Sequence, residues 1–243
     1  MSAPISKVRY AVLIPAVAVI LATLLTWLAP VDVALARLFF DRDYGWPVGR
    51  TPGFEFAYRY GQLLGFLPAL LAIGILVAGY RDLRFRPWRR SSVFMILLLA
   101  VGPGLLVNTI FKAEWNRPRP REIAEFGGPY EYQRALVIGA DGEGRKSFPS
   151  GHAAMGFIFV APYFVMLARS RRVALGWLAF GIAWGIFIGA ARIAQGAHWL
   201  SDVIWSFGVV YFTAYALARL LHLDRIDPDE QPARAIDSHS VLQ

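Results

Sequence analysis

Along this chain the apolar positions fall in long unbroken blocks, separated by short polar segments rich in arginine. Residues 10–31, 60–80 and 91–111 contain no charged residue and run 21 or 22 positions each. A helix of that length rises roughly 31 Å at about 1.5 Å per residue, close to the hydrocarbon thickness of a bilayer. Three further blocks follow: 147–168, uncharged apart from His152; 173–191; and 197–218, interrupted by His198 and Asp202. The pattern predicts an all-α, polytopic membrane protein. Six transmembrane helices are expected, at about 10–30, 60–80, 91–111, 150–168, 173–191 and 199–219, in one bundle domain covering 1–243.

The connections carry their own periodicities. Val31, Leu35, Leu38 and Phe39 recur at helical spacing beside Asp32, Arg37 and Asp41, which predicts a short helix lying in the membrane interface. Tyr44, Trp46, Phe54, Phe56, Tyr58 and Tyr60 read as an interfacial aromatic belt. Residues 112–149 form the longest connection. Arg117-Pro118-Arg119-Pro120 stops the third helix, since proline removes a donor and restricts the residue before it. Gly127-Gly128-Pro129 and Gly139-Ala140-Asp141-Gly142 are turn signals. Arg117, Arg121, Arg134, Arg145 and Lys146 are expected to be loop or lipid-facing residues. From Asp224 the chain is polar and contains proline, the composition of a mobile tail.

Composition supports the membrane reading: 56% of the residues are hydrophobic, more than a soluble domain of this length carries. The net charge of +8 would suggest nucleic acid in a soluble protein; here it reflects arginine-rich loops facing anionic lipid. No basic repeat or aromatic-interleaved patch argues for nucleic acid. With no cysteine, disulfide and thiolate chemistry drop out. The first apolar block, about 20 residues behind Lys7 and Arg9, exceeds the roughly 7–15 of a secretory signal and predicts a retained anchor. Five arginines between 81 and 90, and three between 169 and 172, sit in short loops hugging helix ends. That density is the mark of a cytoplasmic face, so both termini are expected in the cytoplasm.

This topology gathers polar residues on the outer face. The third span ends at Lys112, the fourth begins at His152, the fifth ends at Arg192 and the sixth begins at His198. Ionisable groups at that depth are costly and mark a functional site. Lys112, Arg119 and Arg192 form a set of cations suited to a dianionic phosphate. Ser150 and Gly151 open a helix, where free N–H groups favour an anion. His198 and Asp202, four residues apart, share a helix face. The carboxylate could hold one imidazole nitrogen and leave the other to attack phosphorus, with His152 protonating the leaving oxygen. Two histidines and one aspartate among three cations make a poor seat for a divalent metal, and no cofactor is expected.

On these same residues the chain resembles the type 2 phosphatidic acid phosphatase superfamily, which includes the vanadium haloperoxidases. Its first motif, Lys-x6-Arg-Pro, is matched by Lys112, Arg119 and Pro120; its second, Pro-Ser-Gly-His, by Pro149, Ser150, Gly151 and His152. The third, Ser-Arg-x5-His-x3-Asp, is matched by Arg192, His198 and Asp202, with Ala191 in place of the serine. The resemblance implies a helical bundle in which His198 is the nucleophile, Asp202 its orienting partner and His152 the general acid. Lys112, Arg119, Arg192, Ser150 and Gly151 would then bind phosphate without metal. It points to a bacterial inner-membrane phosphatase acting from the periplasmic face on lipid A, an isoprenyl diphosphate or a phospholipid phosphate. The six spans set aside the soluble, vanadate-dependent branch. A phosphotransferase passing phosphate from an isoprenyl diphosphate to lipid A, and a non-enzymatic lipid-binding or transport protein, are the alternatives.

Overall fold

The computed structural model describes residues 5–139 and 145–223. The tail expected from Asp224 and most of the turn expected at 139–142 lie outside the described residues. The order is α1 (Ile5–Leu28), α2 (Val31–Arg37), α3 (Pro52–Leu64), α4 (Leu67–Arg81) and α5 (Arg89–Leu99), which runs on as a π-helix (Ala100–Phe111) into the single turn α6 (Lys112–Glu114). After the long connection come α7 (Gly151–Phe157), α8 (Ala161–Met166), α9 (Arg171–Ala194) and α10 (Leu200–Leu220).

Among the described residues, five helical stretches are long and apolar enough to cross a membrane: Ala11–Leu28, Pro52–Arg81, Arg86–Glu114, Arg171–Ala194 and Leu200–Leu220. Gly151–Met166 adds a shorter apolar helix. It is broken by a 3-10 turn at Ile158–Val160 because Pro162, in the first turn of α8, offers no N–H to continue the ladder. The second span corrects its expected boundary, since the helix starts at Pro52 rather than near residue 60. Proline is well placed at a first helical position, and an i,i+4 pair between Glu55 and Arg59 at 3.2 Å supports the polar turn that follows. Phe54 and Tyr58, expected in a loop, therefore sit on helix α3.

Side-chain polarity runs opposite to that of a soluble protein. Leu13, Ile14, Leu21, Leu25 and Leu28 of α1 face outward, whereas Asp32, Arg117, Arg192, His198 and Asp202 are buried. Helices in lipid gain little from hiding leucine, so they associate through close backbone approach. Gly181 and Gly185 provide it on α9. A Cβ at Gly185 would lie 2.0 Å from the Phe157 ring, and one at Gly181 2.4 Å from the backbone nitrogen of Val160.

The ends of α1, the π-helix and α9 meet the starts of α3, α7 and α10 at one face. Backbone bonds stitch them together: Ser150 N–H to the Asp202 carbonyl at 3.3 Å, and Arg121 N–H to the Gly196 carbonyl at 3.0 Å. A buried group comprising Val33, Ala36, Ile123, Phe126 and Trp199 covers this end. The expected short helix is present as α2, but Asp32 does not face water: it is 1% exposed, turned inward beneath that cover.

Candidate active site

The π-helix sets the position of Lys112. Pro103 cannot donate to a regular α ladder, and the chain here adopts the wider i→i+5 turn. The Asn108 amide donates to the Pro103 carbonyl at 2.8 Å, and the Lys112 ammonium donates to Asn108 Oδ1 at 2.6 Å. Gly151, at the start of α7, faces this pair. A Cβ there would lie 2.6 Å from Asn108 Oδ1 and 2.8 Å from Lys112 Nζ, so the first two sequence motifs touch. Ser150 is buried; its Oγ caps α7 by accepting from Ala153 N–H at 3.3 Å, which leaves its hydroxyl proton for another acceptor.

Arg192 ends α9 and is nearly buried. Its guanidinium donates to Gln195 Oε1, and the Gln195 amide donates to the Gly49 carbonyl at 3.1 Å. The guanidinium carbon also lies 4.7 Å from the centre of the Tyr58 ring, and the same ring stacks on His152 with centroids 5.4 Å apart and planes at 25°. Tyr58 therefore joins two site residues from two other helices, a role hidden by its belt-like sequence context. From Arg192 the chain turns through Gly196, whose φ of +61° disfavours other residues and whose Cβ would meet the Trp46 indole at 2.3 Å.

Arg119 is anchored by its own N–H, which donates to Glu122 Oε2 at 2.9 Å. The Nε atoms of Arg119 and Arg192 are buried without a hydrogen-bond partner among the described residues. Buried donors are nearly always matched, so two unmatched guanidinium N–H groups beside an ammonium suit an anionic ligand. Lys112, Arg119 and Arg192 all lie within electrostatic reach of His152.

His198 Nδ1 is 2.7 Å from the Ser147 carbonyl and 3.4 Å from Asp202 Oδ2. A carbonyl only accepts, so Nδ1 carries the proton and Nε2 presents its lone pair. Burial pushes His198 down from 6.5 to about 4; Asp202 opposes the shift, and Arg192 and Lys112 reinforce it. The imidazole is thus neutral at physiological pH. Asp202 is fully buried. Its Oδ2 accepts from the Ser147 hydroxyl at 2.5 Å and from Trp199 N–H at 2.9 Å.

Arg117 lies in the connection between the third and fourth spans, as expected, but it faces neither water nor lipid. It is 0% exposed, and its Nη1 donates to Asp202 Oδ1 at 2.5 Å and to Ser201 Oγ at 2.8 Å. Nη2 reaches Asp32 Oδ2 at 2.9 Å, and Nε the Gln133 carbonyl at 2.9 Å. Burial alone would lower its pKa; Asp202 and Asp32 outweigh that and raise it, so the guanidinium stays charged. Arg134 and Arg145 keep to loop surroundings, over the rings of Trp27 and Tyr130.

A sequence profile described as the PAP2 superfamily matches residues 93–225. A protein named lipid A 4'-phosphatase from Francisella tularensis subsp. novicida is 28% identical over 79% of this chain and 86% of its own length. One of the same name from Rhizobium leguminosarum is 30% identical over 76% and 85%. A protein named lipid A 1-phosphatase from Rhizobium etli is 31% identical over 82% and 87%. No solved structure gives a significant match.

Proposed function

This chain belongs to the PAP2 superfamily and is a bacterial membrane phosphatase, a hydrolase of phosphoric esters; we propose that its substrate is a phosphate monoester of lipid A. Family membership sets aside a purely binding or transport role. The observation that carries the chemistry is the convergence of Lys112, Arg119 and Arg192, two of them with unmatched buried Nε donors, around His152 and His198. Relatives named for both phosphate positions of lipid A support the substrate class.

In the proposed reaction, the three cations seat the phosphate and neutralise its equatorial oxygens as charge develops. The Nε2 lone pair of His198 forms an N–P bond as the ester P–O bond breaks. His152 is charged when the phosphate dianion is bound beside it, and it gives that proton to the leaving sugar oxygen. Water then attacks phosphorus, His152 takes a proton back, and the N–P bond breaks to release inorganic phosphate and neutral His198. Arginine density at 81–90 and 169–172, at the end of the bundle away from the site, supports cytoplasmic termini and a periplasmic active site.

The test is phosphate release by purified protein in detergent from lipid A, undecaprenyl diphosphate, phosphatidylglycerophosphate and phosphatidate at equal concentration. Lipid A is expected to give the highest kcat/KM. A preference for any other member overturns the substrate assignment, and label moving from an isoprenyl diphosphate to a second lipid identifies a phosphotransferase.

A further inference from the structure

Beyond the residues that face the phosphate, Asp202 stands at one end of a chain of buried polar groups leading to α2. Arg117 bridges two carboxylates, Asp202 on one side and Asp32 on the other. Asp32 is fully committed: Oδ1 accepts from Ser201 N–H at 2.9 Å, and Oδ2 accepts from Ser201 Oγ at 2.5 Å, Tyr132 Oη at 3.0 Å and Arg117. Arg117 and both aspartates have no side-chain exposure.

Charge decides what this arrangement does. Asp202 paired with Arg117 alone would be a neutral dipole, offering little to a histidine that gains positive character. A second carboxylate restores one net negative charge to the trio, two carboxylates against one guanidinium, in surroundings where charge is weakly screened. We propose that Asp32 and Arg117 are positioning residues for the phosphatase reaction: Arg117 fixes Asp202 beside His198, and Asp32 supplies the charge that lets the trio stabilise the phosphorylated imidazole. This rests on the phosphohistidine reading given above.

A bridge with a purely structural role behaves differently, and the difference is measurable. In Asp32→Asn the shape is kept and the trio becomes neutral. Its kcat is expected to fall by about tenfold or more with KM within about threefold, because substrate binding depends on Lys112, Arg119 and Arg192 instead. The double variant Asp32→Asn/Arg117→Gln returns the trio to one net negative charge, and its kcat is expected to exceed that of Asp32→Asn. Unchanged kcat in Asp32→Asn, or a double variant as poor as the product of the two singles, overturns the proposal. Should either substitution prevent folding, Tyr132→Phe and Ser201→Ala each remove one donor to Asp32 and are expected to lower kcat at constant KM; wild-type kcat in both overturns it equally. Rapid-quench labelling separates the two layers. No labelled wild-type protein defeats the phosphohistidine reading, whereas labelled wild type with Asp32→Asn labelled at the same rate defeats the relay.

Discussion

His198 donates from Nδ1 to the Ser147 carbonyl at 2.7 Å, closer than its 3.4 Å approach to the Asp202 carboxylate. The tautomer is therefore set by a main-chain oxygen that no side-chain substitution removes. In a serine protease triad, replacing the aspartate by asparagine costs on the order of ten thousandfold because the histidine takes the wrong tautomer. Here Asp202→Asn should cost less, on the order of a hundredfold in kcat, as charge is lost and the tautomer kept. Steady-state kinetics on folded protein measures this; a loss as large as in the protease would show that the carboxylate sets the tautomer after all.

The depressed pKa of His198, about 4 against an ordinary 6.5, has two consequences with definite signs. In the proposed mechanism attack requires the neutral imidazole, so the acid limb attributable to His198 should lie near pH 4, with protonation abolishing attack below it. Stability should also decline on acidification: from about 6.5 down to about 4, the unfolded chain binds a proton that the folded site refuses. A pH series of thermal unfolding in detergent checks the second, and a His198→Ala protein should show a shallower decline over that window.

Tyr58 lies under the Arg192 guanidinium and against the His152 ring. Replacing it by alanine removes a cation–π contact of roughly 0.5–2 kcal/mol and frees both side chains. Tyr58→Ala should lower kcat/KM by about tenfold, while Tyr58→Phe, which keeps the ring, should stay within about threefold of wild type. Comparable losses in both variants would assign the effect to the hydroxyl.

Gly151 has no room for a methyl group beside Asn108 and Lys112. The far end of a lysine can move, so Gly151→Ala should fold and displace the ammonium from the proposed phosphate seat. KM is expected to rise by about tenfold, read from initial rates across substrate concentration, with thermal stability near that of wild type. Wild-type KM would mean that Lys112 does not bind the substrate.

Much of this was legible in the sequence because burial in lipid makes polarity conspicuous. A His or Arg at the end of an apolar block stands out, and helix alternation places Lys112, His152, Arg192 and His198 at one end of the bundle. What hid Arg117 and Asp32 was their position in loop-like, mixed-polarity segments, where a buried ion pair and a solvated charge look alike. Only the fold brings α2 beneath the start of α10 and makes these groups partners. Tyr58 was obscured for a related reason: a membrane-interface aromatic and a site aromatic have the same composition. The helical start at Pro52 was masked because the Glu55 and Arg59 charges end the apolar run before they end the helix.

Trapping the intermediate decides whether His198 attacks phosphorus in a lipid phosphate. Radiolabelled lipid A phosphate is mixed with the purified protein and quenched in alkali within the first turnover. Label is expected on the wild-type protein through an acid-labile bond mapped to His198, with none on His198→Ala. Turnover by wild type with no labelled protein at any time, or label that persists in His198→Ala, would contradict it.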